Sequence, residues 1–173
     1  MIIRQATPQD ADAICGLQNA IIRDSLITFT TVEKSPNDVA GLIAGGAPYL
    51  VAEDQAGLLG FASWGAFRAG PGYAHTAEHS IYLTESAQGR GVGRALLAAL
   101  EDAALKAGIH VLVAGISGVN QGAIRFHERV GYTEVGRLPE TGYKAGRWLD
   151  LVLMQKILRV QTGTGPDSVV STG

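Results

Sequence analysis

Two titratable side chains and one glycine-rich segment are the parts of this sequence whose types and spacing could support chemistry. Glu78 begins a short β-prone run, and a carboxylate placed there could take a proton from a reacting group. His127 ionises near neutral pH in its unperturbed state, so it could hold or release a proton. Each has a plain alternative, because a surface carboxylate and a structural histidine on a helix need no function.

The glycine-rich segment Gln88-Gly89-Arg90-Gly91-Val92-Gly93-Arg94 follows a predicted strand and opens a long predicted helix. Glycines there let the backbone approach a ligand, and free N–H groups at a helix start can hold a diphosphate. A P-loop would need Gly and Lys where Arg94 and Ala95 stand, and a dinucleotide fingerprint would place its third glycine one residue later. Both motifs are excluded, and a tight turn without a ligand is the remaining alternative.

The elements that must position these residues follow from hydrophobic periodicity and from helix start and stop signals. The predicted order is β α α β β β α β α β β, which is an α/β fold with a mixed central sheet flanked by helices. Strands are predicted at residues 2–6, 49–53, 58–67, 79–83, 111–116, 132–138 and 149–156. Helices are predicted to begin at Pro8, at Pro36, after the glycine-rich segment and at Gln121, and Gly45, Gly108 and Gly131 are expected to end the last three.

Composition and charge limit the class of protein. Of the 173 residues 46% are hydrophobic and 17% charged, with a formal net charge of −2, which predicts one domain over residues 1–160. A tail at residues 161–173, rich in Gly, Thr, Ser and Pro, is expected to be disordered. The charge balance argues against nucleic acid and anionic membranes as partners. Without a signal-peptide core or a membrane-spanning apolar run, we expect a soluble cytoplasmic protein.

The cysteine and the histidines offer no sign of a metal site. Cys15 lies among apolar residues, which favours a buried structural thiol over a reactive one. His75, His79 and His110 lack metal-ligand spacing, and no cysteine partners accompany them, so no metal is predicted.

The glycine-rich segment resembles the Gln/Arg-x-x-Gly-x-Gly/Ala loop of the GNAT superfamily of N-acetyltransferases, matched here by Gln88, Gly91 and Gly93. Residues 76–83 and 120–132 are similar to the phosphinothricin acetyltransferase branch, and most closely to its methionine sulfoximine and methionine sulfone acetyltransferases. The late segments 142–144 and 146–150 strengthen this resemblance, which runs from about residue 2 to residue 158.

The resemblance implies acetyl-CoA as co-substrate and assigns cofactor contacts by position. Strand residues would offer backbone groups to the thioester and pantetheine, and the loop would hold the diphosphate. An asparagine would contact the cofactor arm. The strand residues are Ile81, Tyr82 and Leu83; the loop runs through Gln88, Gly89, Arg90, Gly91, Val92, Gly93 and Arg94; the asparagine is Asn120.

The resemblance also implies an acceptor pocket and a direct transfer of acetyl to a small amine. Glu78 would take the amine proton, and His127 stands seven residues after Asn120, where many members carry a tyrosine that protonates the departing thiolate. Arg68 would grip the carboxylate of an amino-acid analogue such as methionine sulfoximine, methionine sulfone or phosphinothricin. The implied assembly is a homodimer. The expected pocket residues are Phe29, Arg68, Ala69, Gly70, Glu78, His79 and Ser80.

Two other functions remain open from the residues alone. An acetyltransferase for a polyamine, an aminoglycoside or a protein N-terminus would share the loop, although a cationic acceptor calls for an acidic pocket. A non-catalytic acyl-CoA-binding sensor would also keep the loop, although retention of both Glu78 and His127 argues against it.

Overall fold

The fold is taken from a computed structural model that describes residues 1–159. The tail predicted at residues 161–173 lies outside the described residues. The strands are β1 (Ile2–Gln5), β2 (Tyr49–Asp54), β3 (Gly57–Ala66), β4 (Thr76–Leu83), β5 (Val111–Ser117), β6 (Thr133–Lys144) and β7 (Arg147–Ile157). The helices are α1 (Ala11–Asp24), α2 (Pro36–Ala44), α3 (Val92–Lys106) and α4 (Gln121–Arg129). The predicted order of elements and the mixed sheet are confirmed.

Helices cover both faces of the sheet. On one face α3 and α4 bury a cluster that includes Leu96, Leu100 and Ile124 against the strands. On the other face α1 and α2 pack Ile14 and Val39 against β2 and β3. The apolar spacing of α1 and α3 therefore marks the sides that face the sheet.

Strand β4 begins at Thr76, three residues before the predicted start, so Glu78 lies within the strand. Two further differences from the sequence prediction have local reasons. The segment at Pro8–Asp10 is a 3₁₀ turn that precedes α1, with the Thr7 N–H donating to the Asp10 carboxylate at 2.7 Å. Strands β6 and β7 extend into a long hairpin beyond the predicted limits. The extension crosses Pro139, Glu140 and Thr141, whose polarity and proline interrupt the alternation that the prediction used.

The strand order is β1-β2-β3-β4-β5-β7-β6. Neighbours pair antiparallel except β4 and β5, which are parallel. The parallel ladder runs from Thr76 opposite Val111 to His79 opposite Ala114 and then stops. Beyond His79 the two strands no longer pair, so the sheet opens in its middle. None of the helices in residues 1–159 is long and apolar enough to cross a membrane.

Candidate active site

A cavity of about 180 Å³ lies where β4 and β5 separate. Its walls come from both faces of the sheet, because α1 and the segment after it contribute one side and α4 the other. The opening between the strands is therefore a passage through the sheet. The lining residues are Ile21, Ile27, His79, Ser80, Ile81, Tyr82, Leu83, Ala114, Gly115, Ile116, Asn120, Ala123 and His127.

The alternation of β4 sorts its residues between the two faces. Tyr82 stacks on Phe61 at 5.0 Å between ring centroids and belongs to the α1 and α2 side. Ile81 and Leu83 pack in the cluster of α3 and α4. Glu78 and Ser80 share the face of Tyr82. We therefore correct the expected grouping of His79 with Glu78 and Ser80. The His79 side chain points to the opposite face of the sheet.

The Glu78 carboxylate lies directly against β5. A Cβ added to Gly115 would come within 2.6 Å of Glu78 Oε1, so only a glycine leaves room for the carboxylate. Gly115 in turn lines the passage, which brings the carboxylate to its edge. The Glu78 side chain remains exposed to solvent, and the partial loss of water around its carboxylate raises its pKa above the usual value by disfavouring the charged form. The carboxylate is thus held at the passage, and its pKa is shifted in the direction that suits a base working near neutral pH.

We predict that Gly115→Ala lowers kcat about tenfold or more, because the methyl group must displace the carboxylate of Glu78, the base expected from the sequence. Steady-state kinetics with a thiol readout would measure the change. Gly65→Ala is the matched control: Gly65 pairs with Glu78 from the other side, and nothing lies within 4 Å of its added Cβ. Equal activity of both variants would contradict the placement of the carboxylate.

The glycine-rich loop ends with Gly91 in the left-handed conformation at φ 76°, directly before α3. The first amide of this region to reach a helical acceptor is that of Ala95, which donates to Gly91 O at 3.1 Å. The preceding N–H groups, of residues 92–94, are the donors that a helix start leaves without backbone partners. These free N–H groups form the positive end of the α3 dipole, so the loop is suited to binding an anion.

The surroundings of the loop are positively charged. A cavity of about 210 Å³ is lined by Leu83, Gln88, Gly89, Gly91, Val92, Gly93 and Arg94, together with Arg129 of α4 and neighbouring apolar residues. The Arg90 guanidinium does not line this cavity: it donates to Asp54 Oδ2 at 2.9 Å and to Ser86 O at 3.2 Å. Arg90 thus anchors the loop to the β2–β3 turn, a partner that no local sequence pattern indicated.

Asn120 caps α4 and places His127 about two turns further along the same helix. The Asn120 Oδ1 accepts from the Ala123 N–H at 3.1 Å, which leaves its Nδ2 free of the capping contact. His127 Nδ1 lies 2.8 Å from the Ala123 carbonyl, and its Nε2 lies 3.1 Å from His79 Nε2. Burial lowers the pKa of both imidazoles. The structure therefore joins Asn120, His79 and His127 at one wall of the passage.

Two groups of expected pocket residues stand apart from the passage. Arg68, Ala69 and Gly70 line a separate cavity of about 510 Å³ past the end of β3, and the Arg68 guanidinium lies 5.2 Å from the Phe67 ring centroid. Phe29 packs against the β6–β7 hairpin, where a Cβ on Gly142 would come within 2.5 Å of its ring. The structure does not bring these residues to the wall formed by Ser80 and Tyr82.

Gly115 is a site residue that sequence reasoning missed, although a glycine inside a buried strand can signal a close approach. In residues 1–159 no three His, Cys, Asp or Glu side chains converge in a way that could hold a metal ion. Cys15 is buried, as expected, and burial raises the pKa of its thiol.

A sheet opened between two parallel strands, with a glycine loop and helix start beside the opening, defines an acyl-CoA-dependent transferase. The family of the chain is shown by a match to the Acetyltransferase (GNAT) domain over residues 3–153. The chain belongs to the GNAT acetyltransferases and is an acetyl-CoA-dependent N-acetyltransferase.

Three similar proteins illustrate the range of its relatives. The L-methionine sulfoximine/L-methionine sulfone acetyltransferase of Salmonella typhimurium is 38% identical, with 97% of this chain and 99% of the relative covered. The crystal structure of a ribosomal-protein-alanine N-acetyltransferase from Brucella melitensis matches with a TM-score of 0.85 and 38% identity, covering 91% of this chain and all of that one. The phosphinothricin acetyltransferase of Sinorhizobium meliloti in complex with AcCoA matches with a TM-score of 0.84 and 32% identity, covering 97% and 94%.

Proposed function

We propose that this enzyme transfers the acetyl group of acetyl-CoA to the α-amine of a small L-amino-acid analogue in a ternary complex. The observation that carries the proposal is the passage through the sheet, with the glycine loop on the α3 and α4 side and the Glu78 carboxylate on the α1 and α2 side. Two substrates that enter from opposite faces can meet in it without a covalent enzyme intermediate. Cys15 is buried in the α1 side core and takes no part.

The cofactor arm is proposed to lie along the end of β4, with its diphosphate on the amides of residues 89–94. Ile81, Tyr82 and Leu83 border the passage, and past the end of the β4–β5 ladder the backbone groups of this segment that point away from β3 are available to the thioester and pantetheine. Asn120 would donate to the arm through its free Nδ2. Arg94 and Arg129 supply positive charge beside the loop.

Glu78 is proposed to act as the base. An amine attacks a thioester only as the neutral form, so a proton must leave the ammonium; it passes to the carboxylate or to water. As the C–N bond forms and the C–S bond breaks, the electron pair stays on sulfur. His127, on the cofactor side, is neutral at rest, so it is proposed to accept a proton first and then pass it to sulfur. The ammonium loses two protons in all, one before attack and one as the amide forms; the thiol receives one, so one proton is released to solvent overall.

The acceptor is proposed to be methionine sulfoximine, methionine sulfone or phosphinothricin. The names of two relatives support this class, and the partly apolar α1 wall with Ile21 and Ile27 suits a short side chain. The Brucella relative favours a second candidate, the α-amine of an N-terminal alanine in a protein. The two candidates differ in the group attached to the α-carbon, since one carries a free carboxylate and the other a peptide bond.

We predict turnover of the three amino-acid analogues and at least tenfold lower kcat/KM for an Ala-initiated peptide, because a peptide must pass a cavity of only about 180 Å³. Purified enzyme, acetyl-CoA and a free-thiol readout would test this. Acetylation of the peptide alone would replace the first candidate by the second. Tight acetyl-CoA binding without turnover of any amine would instead identify a sensor.

The remaining parts of the proposal concern assembly and location. The Tyr143 and Trp148 rings lie in tilted contact, with centroids 4.7 Å apart, on the exposed β6–β7 hairpin; this is the surface on which a second copy packs in the homodimer that we propose. Sedimentation of the purified protein would decide the assembly, and a monomer at micromolar concentration would refute the dimer.

We also propose that the enzyme is cytoplasmic, because acetyl-CoA is made and used in the cytoplasm.

A further inference from the structure

His79 and His127 form a hydrogen-bonded pair inside the protein, on the cofactor side of the passage. Their Nε2 atoms lie 3.1 Å apart, and the side chains are only 5% and 3% exposed. The two rings come from distant parts of the chain, β4 and α4. Both line the passage, so a change in either imidazole acts on the place where the thioester is proposed to lie.

The backbone determines which nitrogens carry hydrogen. A carbonyl oxygen only accepts, so the 2.8 Å contact to Ala123 O requires the hydrogen of His127 on Nδ1. In the neutral ring Nε2 of His127 is then a bare acceptor. The neighbouring nitrogen at 3.1 Å must be the donor, which puts the hydrogen of His79 on Nε2. His79 Nδ1 is left as a buried bare nitrogen that makes no hydrogen bond of good geometry within the described residues, although the Val113 backbone is close enough to favour the charged ring.

We propose that His79 is a positioning residue: its Nε2–H holds His127 in the Nδ1–H tautomer and fixes the orientation of the ring at the passage. Its catalytic consequence rests on the proposed function, whereas the tautomer assignment does not. The pair carries one hydrogen between its two Nε2 atoms. A further proton goes to His79 Nδ1, which is the one ring nitrogen of the four that makes no hydrogen bond within the described residues.

The charges around the pair agree with a neutral resting state. Burial is the first cause that lowers the pKa of both rings, so neither is charged near pH 7. Tyr132 lies 5.2 Å from each ring and stays protonated, because burial raises its pKa. Glu101 and Lys156, which lie next to Tyr132, form an ion pair with 2.6 Å between Nζ and Oε2. Tyr82, which also lines the passage, stays protonated because burial raises its pKa.

The direct test is nitrogen-15 NMR of the histidine-labelled enzyme at pH 7, which distinguishes protonated from bare ring nitrogens. We expect protonated Nδ1 and bare Nε2 for His127, and the reverse for His79, with His127→Gln used for assignment. A protonated Nε2 on His127, or a bare Nε2 on His79, would overturn the proposal. This result does not depend on turnover, so failure to acetylate any amine would count against the proposed function and not against the pair.

The role in catalysis is tested by comparing His79→Gln with His79→Leu. Glutamine keeps an N–H donor at a similar reach, whereas leucine fills the space without one. We expect His79→Leu to lower kcat about tenfold or more, with little change in the KM for acetyl-CoA, and His79→Gln to retain kcat within about threefold. Equal losses in both variants, or no loss in either, would overturn the positioning role. If the leucine variant fails to fold, the glutamine variant's kcat and the tautomer measurement still decide.

Discussion

Glu78→Gln is expected to lower kcat about 100-fold or more, the usual size of a lost general base. The amide keeps the shape of the side chain against Gly115 but cannot take the amine proton. The Kd for acetyl-CoA should change little, because the loop that holds the diphosphate lies on the other side of the sheet. Rapid-quench measurement of acetyl transfer and calorimetric titration with acetyl-CoA would separate the two effects.

The stability of the same variant gives an independent control. Partial burial raises the pKa of Glu78 in the folded protein, so its ionisation costs folding free energy: the cost is absent below the unfolded-state pKa, grows above it and is complete above the folded-state pKa. The glutamine variant should therefore unfold at the same or a higher temperature than the parent at pH 7.

The raised pKa also affects the pH profile of the wild-type enzyme. As the pH is lowered, its kcat/KM should begin to fall at a higher pH than it would if Glu78 had the pKa of an ordinary glutamate. Glu128→Gln, an exposed change on α4, should leave kcat unaffected; an inactive Glu128→Gln, or an active Glu78→Gln, would refute the base assignment.

Gly91→Val is expected to raise the Kd for acetyl-CoA about tenfold or more. Gly91 adopts φ 76°, which costs an L residue about 1–2 kcal/mol, and a β-branched side chain tolerates it poorly. The loop either stores this strain or leaves the left-handed conformation, and in the second case the amides before α3 no longer converge. Fluorescence or calorimetric titration would measure the affinity.

The control for this variant is Gly108→Val. Gly108 has φ 83° at the other end of α3 and, like Gly91, nothing within 4 Å of an added Cβ. Both variants should lower the unfolding temperature, since both force a valine into the left-handed region. Only Gly91→Val should weaken acetyl-CoA binding. A similar loss of affinity in Gly108→Val would mean that strain in α3, and not the geometry of the loop, controls the cofactor site.

Local patterns in the sequence predicted the elements and their order, because start signals such as Ser35-Pro36 and stop signals such as Gly45 act within a few residues. The glycine loop and the seven-residue spacing from Asn120 to His127 were recognisable for the same reason. The opening of the sheet after His79 could not be predicted, since it depends on where two strands from distant segments cease to pair.

The side-chain partners were also beyond local patterns. Arg90 meets Asp54, which lies 36 residues away, and His79 meets His127 across 48 residues. The placement of His79 shows that even a correct strand can mislead about its face. Grouping Glu78, His79 and Ser80 as neighbours in sequence ignored the alternation that sends the middle residue to the other side.

Because the sheet is open between β4 and β5, an inhibitor that joins both substrates in one molecule must thread the gap between neighbouring strands. The gap exists only where the two strands separate beyond the paired spacing of about 4.7–4.9 Å, so such a compound needs a slim linker, such as an unbranched methylene chain, at its waist. Its nucleotide half would anchor to features shared by many acyltransferases. Selectivity for this enzyme would come from the half that emerges beside Ile21 and Ile27.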